Sequence, residues 1–550
     1  MSITSIENFS NEVFNEIFEY LDGCEIYKAF SNLNYRFQQL LYSSSLLYKI
    51  NLHRTTSNEL YLNIYKQLLL NHKHQILAFH IWSPLQKSEF FSSFSIDASF
   101  NRLESIVINE LPSAILISLL TNLSSLPRLF SLTIDARWAL RDLSEVYRLI
   151  FTLSKLKYIK CSAESTTISN SLPIATNEQF STIEYFIINH DCGFNELCTL
   201  ISYTPQLCHL NLMNLSKSHS NNEIILPVSF SNLTYLSIEM AYITFDELEM
   251  FIIETECNLK VLRIITFFAD QNYLDGDRWE ELISNYLLEL EEFYLEYYQD
   301  IDPESGSLTD FEPPNQFNSS FWIERKWVLE VEMDSFAYIY SIRSYKERWY
   351  DVNSSIELSN STRLILTDLP HDEYIMILNL IIRDLLAMTQ IYHLEISKKK
   401  TIYSDILIEI IYKLSALDTL KITSLILSQS KCLFIENKNL RLVSNKNNIK
   451  KVYLEKMLTM EEVYFLIRLC PRMTYLKIDF INDMNIELFV KDILKKIHND
   501  CNQYLRSLCI HNPTADDDII QKLEEMINRE KLLHHFTIKC IADNIYLQWK

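Results

Sequence analysis

Two pairs of histidines are the residues of this sequence whose type and spacing come nearest to metal chemistry. His72 and His74 are separated by one residue, and His534 and His535 are adjacent. A zinc site needs three or four ligands in a defined geometry. No third ligand stands at a helpful spacing from either pair. The sequence therefore predicts no metal site, and it suggests no other cofactor.

Residues for acid–base or nucleophilic catalysis form no clear set either. Paired carboxylates are abundant, but acid and base roles cannot be assigned to them without a pocket. The 550 residues include only four glycines, at Gly23, Gly193, Gly276 and Gly306, whereas phosphate-binding loops need clustered glycines. The Gly-x-Ser-x-Gly elbow of hydrolases is also absent. These absences argue against kinase, NTPase, dinucleotide-binding and hydrolase functions, and the sequence predicts no catalytic residue.

Composition bears on the class of partner and on the compartment. A net charge of −21 repels the nucleic-acid backbone, so no nucleic-acid partner is expected. Eleven cysteines are scattered without a C-x-x-C pair, and the first residues are polar rather than those of a signal peptide. No apolar run reaches the roughly 18 residues of a membrane-spanning helix. These features favour a cytoplasmic or nuclear protein without a membrane segment.

A recurring apolar pattern indicates which elements position the remaining residues. It has the form apolar-x-x-apolar-x-apolar, as at 207–212 and 417–422, and most copies are 24 to 32 residues apart. The other copies begin at Ile76, Leu103, Leu129, Leu156, Ile183, Leu233, Leu259, Leu290, Ile391, Ile449, Met473, Leu505 and Leu533, with a weaker copy at Leu364 and Leu366. A period of this length is typical of stacked repeats. We predict an α/β solenoid with a parallel sheet on one wall and helices outside it.

The first fifty residues lack this pattern and predict three short helices instead. The first helix has an apolar face, with residues three and four apart at Phe14, Ile17, Phe18 and Leu21. Gly23 is expected to end that helix, and apolar residues at 26–33 and 37–41 predict two more. A helical domain of this size is marginal unless it packs on a larger body.

The order of residues in this segment resembles the F-box. The matching residues are Phe9-Ser10-Asn11-Glu12-Val13, Ile17, Tyr20-Leu21, Ile26, Ala29, Phe30, Leu33 and Asn34. The family has Leu-Pro where this chain has Phe9-Ser10, and in the family that proline starts the first helix and touches the adaptor. The repeats are similar to the leucine-rich-repeat half of the same family.

The resemblance implies a substrate receptor of a Skp–cullin–F-box ubiquitin ligase. The F-box would bind a Skp-family adaptor and, through it, the cullin and RING subunits, while the repeats would select a protein substrate. Contacts with the adaptor are then expected at Phe9, Ser10, Ile17, Tyr20, Leu21, Ile26 and Leu33. An alternative stays open, because terminal repeats need a cover. The helices would then be a cap, and the protein a leucine-rich-repeat binding scaffold unconnected with ubiquitin.

Two aromatic groups are candidates for binding the substrate. Glu292, Tyr294 and Glu296 alternate along one predicted strand, in a region (270–312) with fourteen acidic residues and one basic residue. Such a strand face suits a basic or amphipathic partner, although acidic runs are usually solvated loops. Trp322 and Trp327 would clamp a partner, since Trp dominates binding hot spots, or would form a local core.

Three lysines are candidates for binding an acidic or phosphorylated motif. Lys421, Lys451 and Lys477 occupy equivalent positions of three copies of the pattern, in a region (396–480) with fifteen basic and eight acidic residues. On adjacent strands they would line up and meet one anionic group. The alternative is that they are ordinary surface lysines.

The pattern also predicts the domain boundaries. No good copy falls between residues 295 and 364, where turn residues precede alternating aromatic and charged residues typical of a strand pair. The predicted domains are an F-box at 1–50, a helical linker or cap at 51–75, a first repeat array at 76–299, an acidic loop and aromatic β-rich insertion at 300–360, and a second repeat array at 361–550.

Overall fold

The chain divides into two compact units, one comprising Met1–Thr266 and Leu282–Glu292, the other Phe267–Glu281 and Phe293–Lys550. The structure is a computed structural model. It describes residues 9–52, 59–82, 96–136, 142–163, 172–216, 229–267, 270–300, 317, 319–333, 337–345, 363–367, 391–427, 438–479, 485–499, 504–513, 517–541 and 543–550. Both units are α/β with mostly parallel sheet, which confirms the predicted class.

The first unit is built on parallel strands that pair in chain order. Its strands are β1 (Tyr48–Leu52), β2 (Ile76–Trp82), β3 (Ser105–Asn109), β4 (Ser131–Asp135), β5 (Tyr158–Ser162), β6 (Tyr185–Gly193), β7 (His209–Ser216), β8 (Tyr235–Ala241) and β9 (Val261–Phe267), which ends at the unit boundary. From β1 to β8, each strand pairs in parallel with the next one along the chain.

Helices precede these strands and alternate with several of them. They are α1 (Asn11–Glu19), α2 (Gly23–Phe30), α3 (Tyr35–Leu41), α4 (Glu59–Asn71), α5 (Ser113–Leu123), α6 (Ser144–Phe151), α7 (Phe194–Ser202), α8 (Phe245–Thr255) and α9 (Gly276–Tyr286). A capping box at Thr244 and Glu247 starts α8: Thr244 Oγ1 accepts from the Glu247 N–H, and the Glu247 carboxylate accepts from the Thr244 N–H.

The second unit has a mixed sheet with antiparallel pairs at both ends. Its strands are β10 (Glu292–Asp300), β11 (Trp327–Met333), β12 (Ala337–Ser344), β13 (Arg363–Leu366), β14 (His393–Tyr403), β15 (Thr419–Ile426), β16 (Lys451–Lys456), β17 (Tyr475–Asp479), β18 (Ser507–His511), β19 (Phe536–Ile541) and β20 (Asn544–Trp549). Strands β11 and β13 to β18 pair in parallel in that order. Antiparallel pairs join β10 to β12, β12 to β11, β18 to β20 and β20 to β19.

Six further helices belong to the second unit. They are α10 (Ser320–Glu324), α11 (Ser404–Lys413), α12 (Lys438–Lys446), α13 (Met460–Leu469), α14 (Ile486–Asn499) and α15 (Asp517–Glu530). Helix α13 begins with a capping box of the same kind, Thr459 with Glu462.

The repeated apolar pattern marks strands, as predicted: every one of its sixteen copies overlaps a strand. In β3, Ile106 and Ile108 are fully buried, whereas Ser105, Val107 and Asn109 are only half-buried. Side chains of a strand alternate between its two faces. We call the face that carries the half-buried residues the open face of each sheet.

Two features of the N-terminal region differ from what the sequence predicts. Gly23 does not end α1, which ends at Glu19; it begins α2, because the Asp22 side chain caps that helix in a capping box with Glu25. Strand β1 was not predicted, although Leu47, Ile50 and Leu52 fit the repeated pattern.

The C-terminal end also differs. The pattern at Leu533 predicts the next parallel strand after β18, but β20 lies between β18 and β19 and is antiparallel to both. Ile545 and Leu547 of β20 are buried, so their alternation is the signal for this strand. The predicted strand pair in the aromatic stretch is β11 and β12, which forms part of the sheet rather than an appendage to it.

Candidate interaction surfaces

The three N-terminal helices pack around a cluster of phenylalanine rings. The ring centroid of Phe14 is 5.9 Å from that of Phe18, 6.0 Å from Phe30 and 4.9 Å from Phe37. Phe14, Phe18 and Phe37 are fully buried. Edge-to-face and tilted ring pairs at such separations stabilise a core beyond the area that they bury. Each of α1, α2 and α3 contributes to this core, and that fixes their mutual arrangement.

Arg36 of α3 holds the segment that leads into α1. Its Nη2 atom donates to the Phe9 carbonyl oxygen at 2.5 Å and to Asn11 Oδ1 at 2.8 Å. Ser10 is the N-cap residue of α1, with extended backbone angles (φ −72°, ψ 164°). Its hydrogen bond to Glu12 lowers the pKa of that carboxyl. A φ of −72° lies in the range that a proline ring imposes.

The residues predicted to contact the adaptor fall into two groups. Ile26 is fully buried, and Ile17 and Leu21 are half-buried, so these three hold the helices together. The exposed members are Phe9, Ser10, Tyr20 and Leu33. Tyr20 is 89% exposed and Leu33 is 55% exposed, so both are accessible to a partner.

Helix α2 lies directly against β1. Asp22 Oδ2 accepts a hydrogen bond from the Asn51 backbone N–H at 2.7 Å, and burial raises the pKa of the Asp22 carboxyl. A Cβ atom on Gly23 would lie 3.1 Å from Cβ of Tyr48 and 3.3 Å from the Lys49 carbonyl oxygen. The sequence needs glycine here because the helix approaches the strand backbone so closely.

His72 and Gln75 fasten the same junction. Gln75 Nε2 donates to the carbonyl oxygens of Leu41, Ser43 and Leu46 at 3.1, 2.8 and 3.2 Å. His72 Nδ1 is 2.7 Å from Gln75 Oε1, and burial lowers the pKa of the fully buried imidazole. His72 and Gln75 therefore lie together in the packed junction between the helices and β1.

Glu296 of β10 lies between two tyrosines on one face of the strand. The hydroxyl groups of Tyr294 and Tyr298 both donate to the Glu296 carboxylate. Burial and the Glu296 carboxylate raise the pKa of Tyr298 well above its usual range. Glu292 begins the same strand and is exposed. Both tyrosine hydroxyls are thus already engaged with the carboxylate between them.

The two tryptophans proposed as a clamp are buried. Trp322 is 0% exposed and Trp327 is 2% exposed, with their ring centroids 5.9 Å apart. The Phe293 ring lies 5.9 Å from Trp322 and 5.5 Å from Trp327, and Phe317 lies 4.9 Å from Trp322. Neither indole is available to a partner here; both belong to a local core, which was the alternative.

A ladder of ion pairs crosses the open face of the second unit, and Lys421 belongs to it. Lys421 Nζ is 2.9 Å from a Glu395 carboxylate oxygen and 2.8 Å from one of Glu455. Glu395 also pairs with Arg363, which in turn lies 3.2 Å from Glu330. The side chains of Lys421, Glu395 and Glu455 are mostly buried. The Lys421 ammonium group is therefore already paired with two carboxylates, and an anionic partner would have to compete with them.

The three lysines do not share one row. Lys421 lies opposite Tyr453, which lies opposite Lys477. Lys451 lies opposite Thr419 and Tyr475, one step along the strand on the same face. The Lys477 ammonium group is 4.5 Å from the centroid of the Tyr453 ring, at cation–π distance. Lys451 was expected in the same row as Lys421 and Lys477. It lies in a different row, two residues earlier along its strand.

An aromatic row on the first unit was not predicted. Tyr158, Tyr185, His209 and Tyr235 lie opposite one another on β5 to β8. Each stands two residues after the first apolar residue of its copy of the pattern, and this repeated position was the available signal.

In the part of the chain that the structure describes, no three His, Cys, Asp or Glu side chains group as they would to hold a metal ion. None of its helices has the length and apolar character needed to cross a membrane. No family model matches the sequence, and no curated protein matches it significantly.

Proposed function

We propose that this chain is the substrate-recognition subunit of a cullin–RING ubiquitin ligase. The N-terminal three-helix segment would be an F-box that binds a Skp-family adaptor and, through it, the cullin and RING subunits. The strands and helices that follow would be leucine-rich repeats that bind a protein substrate. The proposed setting is the cytoplasm or the nucleus.

The observation that carries the proposal is how the family pattern divides between core and surface. Ile26 is buried and Ile17 is half-buried among the three helices, whereas Tyr20 and Leu33 are large apolar residues left in contact with solvent. A small helical domain that leaves such residues exposed favours an interaction surface. This division is what a docking domain requires.

The proposed mechanism needs no catalytic residue in this chain. Holding a substrate and a ubiquitin-conjugating enzyme in one complex makes the encounter effectively intramolecular, which raises their effective concentration. The rate then depends on how the substrate lysine is oriented toward the enzyme. Rigid packing of α2 on β1, through Gly23 and the Asp22–Asn51 hydrogen bond, would help to fix that orientation.

Adaptor binding by the full chain tests the proposal. We expect Leu33→Asp to weaken binding to a purified Skp-family adaptor by about tenfold or more, because a charge would enter an apolar contact. Leu70→Asp is the matched control, since Leu70 of α4 is also exposed and lies outside the F-box segment. Both variants should keep the thermal stability of the unchanged protein.

A second candidate function is a binding scaffold unconnected with ubiquitin, with the helices as a cap. The packing of α2 on the first strand, β1, favours it, since an end strand needs a cover. Failure of the unchanged chain to bind any Skp-family adaptor would reject the ligase proposal and leave this one. If Leu33→Asp and Leu70→Asp weaken adaptor binding equally, the adaptor does not contact Leu33 specifically. That result would reject the proposed F-box surface.

A further inference from the structure

Four aromatic side chains form a continuous row on the open face of the first unit. Tyr158 lies opposite Tyr185, Tyr185 opposite His209, and His209 opposite Tyr235. The His209 and Tyr235 rings are stacked, with centroids 3.8 Å apart and planes 6° from parallel. The Tyr185 and His209 centroids are 5.5 Å apart. The row spans four adjacent parallel strands.

The row is accessible, and its polar atoms are unengaged. Tyr185 is 45% exposed, and Tyr158, His209 and Tyr235 are half-buried. Within the described residues, none of these three tyrosine hydroxyls has a hydrogen-bond partner. Phenol groups usually find a partner when they are taken out of water. A molecule that covers this row must therefore supply acceptors or donors for three hydroxyl groups.

The row also carries almost no charge. Lys160, Ile187, Asn211 and Ser237 form the next row on the same face. Lys160 is the one charged side chain in these two rows, all of whose residues are described. At the edge, Lys157 and Glu184 neutralise each other at 2.6 Å. Burial lowers the pKa of His209, which keeps its imidazole neutral at neutral pH.

The charge of this face restricts its partner. A charged segment would give up solvation against a face that offers no matching array of counter-charges. The ion-paired open face of the second unit differs in kind, since Lys421 alone contacts two carboxylates there. Electrostatic complementarity therefore selects a neutral partner for the aromatic row.

We propose that the row of Tyr158, Tyr185, His209 and Tyr235 binds a neutral, proline-rich segment of a partner protein in the polyproline II conformation, running across the strands. Adjacent strands are about 4.8 Å apart, so every second side chain of the row recurs at about 9.6 Å. A polyproline II helix repeats every three residues, at about 9.3 Å. The aromatic rings and the prolines thus share nearly one period.

Hydrogen bonding fits the same occupant. Proline has a carbonyl oxygen but no backbone N–H, so a proline-rich segment presents acceptors without donors. The tyrosine hydroxyls, the His209 ring and the Lys160 ammonium group on this face include several donors. Aromatic-lined grooves recognise such segments in several unrelated domains because the ligand is preformed and loses little entropy.

The inference deepens the proposed function, because it names the chemistry of the substrate that the repeats would select. Only the ubiquitination of that substrate after it binds rests on the proposed function. Binding of a peptide to the full chain needs no adaptor. If the peptide does not bind to this row, the Leu33→Asp test of adaptor binding is unaffected. If the adaptor does not bind, the peptide-binding test is unaffected.

The experiment measures binding of a fluorescent decaproline peptide to the full chain by anisotropy. We expect saturable binding that changes little as salt is added, since few charges are involved. Tyr235→Ala should weaken it about tenfold, because the stacked pair with His209 would be lost. Tyr286→Ala is the matched control, since Tyr286 is 49% exposed on α9 and lies off the row.

Thermal unfolding of both variants separates a local effect from misfolding. A folded Tyr235→Ala protein with weakened binding, beside a Tyr286→Ala protein with unchanged binding, supports the proposal. Lack of saturable binding to the unchanged protein overturns it. So does equal affinity for a neutral Gly-Ser peptide of the same length, equal affinity in the two variants, or stronger binding of acidic or basic peptides at this row.

Discussion

At the scale of single residues, Ser10 is the position where this chain departs from the family that it resembles. Its φ of −72° is already close to the value that proline imposes, and its carbonyl oxygen accepts from the Phe14 N–H at 3.3 Å. The serine side chain makes no capping hydrogen bond to α1. The backbone at Ser10 therefore already has a conformation that proline, the residue of the family at this position, can adopt.

Ser10→Pro should therefore stabilise the folded protein. Proline restricts the unfolded chain where the native φ already suits it, which gives a gain of roughly 0.5 kcal/mol. We also expect tighter adaptor binding, because the family residue is restored. Ser10→Ala is the control: it removes the same hydroxyl bond to Glu12 without fixing φ. A lower unfolding midpoint for Ser10→Pro than for Ser10→Ala would contradict the argument.

At the scale of elements, periodicity predicts the strands and the register of their parallel pairs, but not every pairing. The apolar pattern marks sixteen strands because each needs one buried face, as Ile106 and Ile108 show in β3. Thr419 and Lys451 both stand two residues after the first apolar residue of their copies, and they lie opposite each other. Lys421 stands four residues after that residue and so lies in another row. The position of β20 between β18 and β19 follows instead from long-range pairing that no local pattern encodes.

Side-chain roles were harder to predict than elements. Trp322 and Trp327 have the residue type of a binding hot spot, but they fill a core with Phe293 and Phe317. The sequence does not distinguish these cases, because both need aromatic residues. Among the F-box-like residues, Ile26 is buried and Leu33 is exposed. This difference results from how the three helices pack together, which the sequence alone does not show.

The ion-pair ladder across β13 to β16 predicts which lysine matters for stability. Lys421→Met should destabilise the protein by about 2 kcal/mol, because Glu395 and Glu455 would lose the cation between them in a mostly buried site. Lys456→Met is the matched control on the neighbouring strand, and we expect a small effect there because Lys456 is exposed. Chemical denaturation measures both. Equal effects of the two substitutions would contradict a specific role for Lys421 in the ladder.

At the scale of the whole molecule, which has a net charge of −21, charged side chains play different parts on the open faces of the two units. The open face of the first unit presents an aromatic row next to which Lys160 is the one charged side chain of the adjacent row, while Lys157 and Glu184 pair with each other at the edge. The open face of the second unit pairs its charges internally, as Arg363 does with Glu330 and Glu395. A face that satisfies its own charges adds rigidity, whereas one with unengaged hydroxyl groups is suited to recognition.

Buried histidines make the stability of the first unit depend on pH. Burial lowers the pKa of both His72 and His190 below the ordinary value of 6.5. His190 is held neutral: its Nδ1 donates to the Asp191 carbonyl oxygen at 2.8 Å, and its Nε2 accepts from the Tyr147 hydroxyl at 2.6 Å. The unfolded chain therefore binds more protons than the folded chain below the ordinary pKa.

The unfolding midpoint should accordingly fall as the solution is acidified. The contribution of His190 is complete above pH 6.5 and is lost as the pH falls through the lowered pKa of the folded state. His190→Gln should be less stable near neutral pH, because the bond to Tyr147 is disturbed, but its midpoint should fall less steeply with acid. Scanning fluorimetry across this range measures both slopes. Parallel slopes for the variant and the unchanged protein would mean that His190 is not a source of the acid sensitivity.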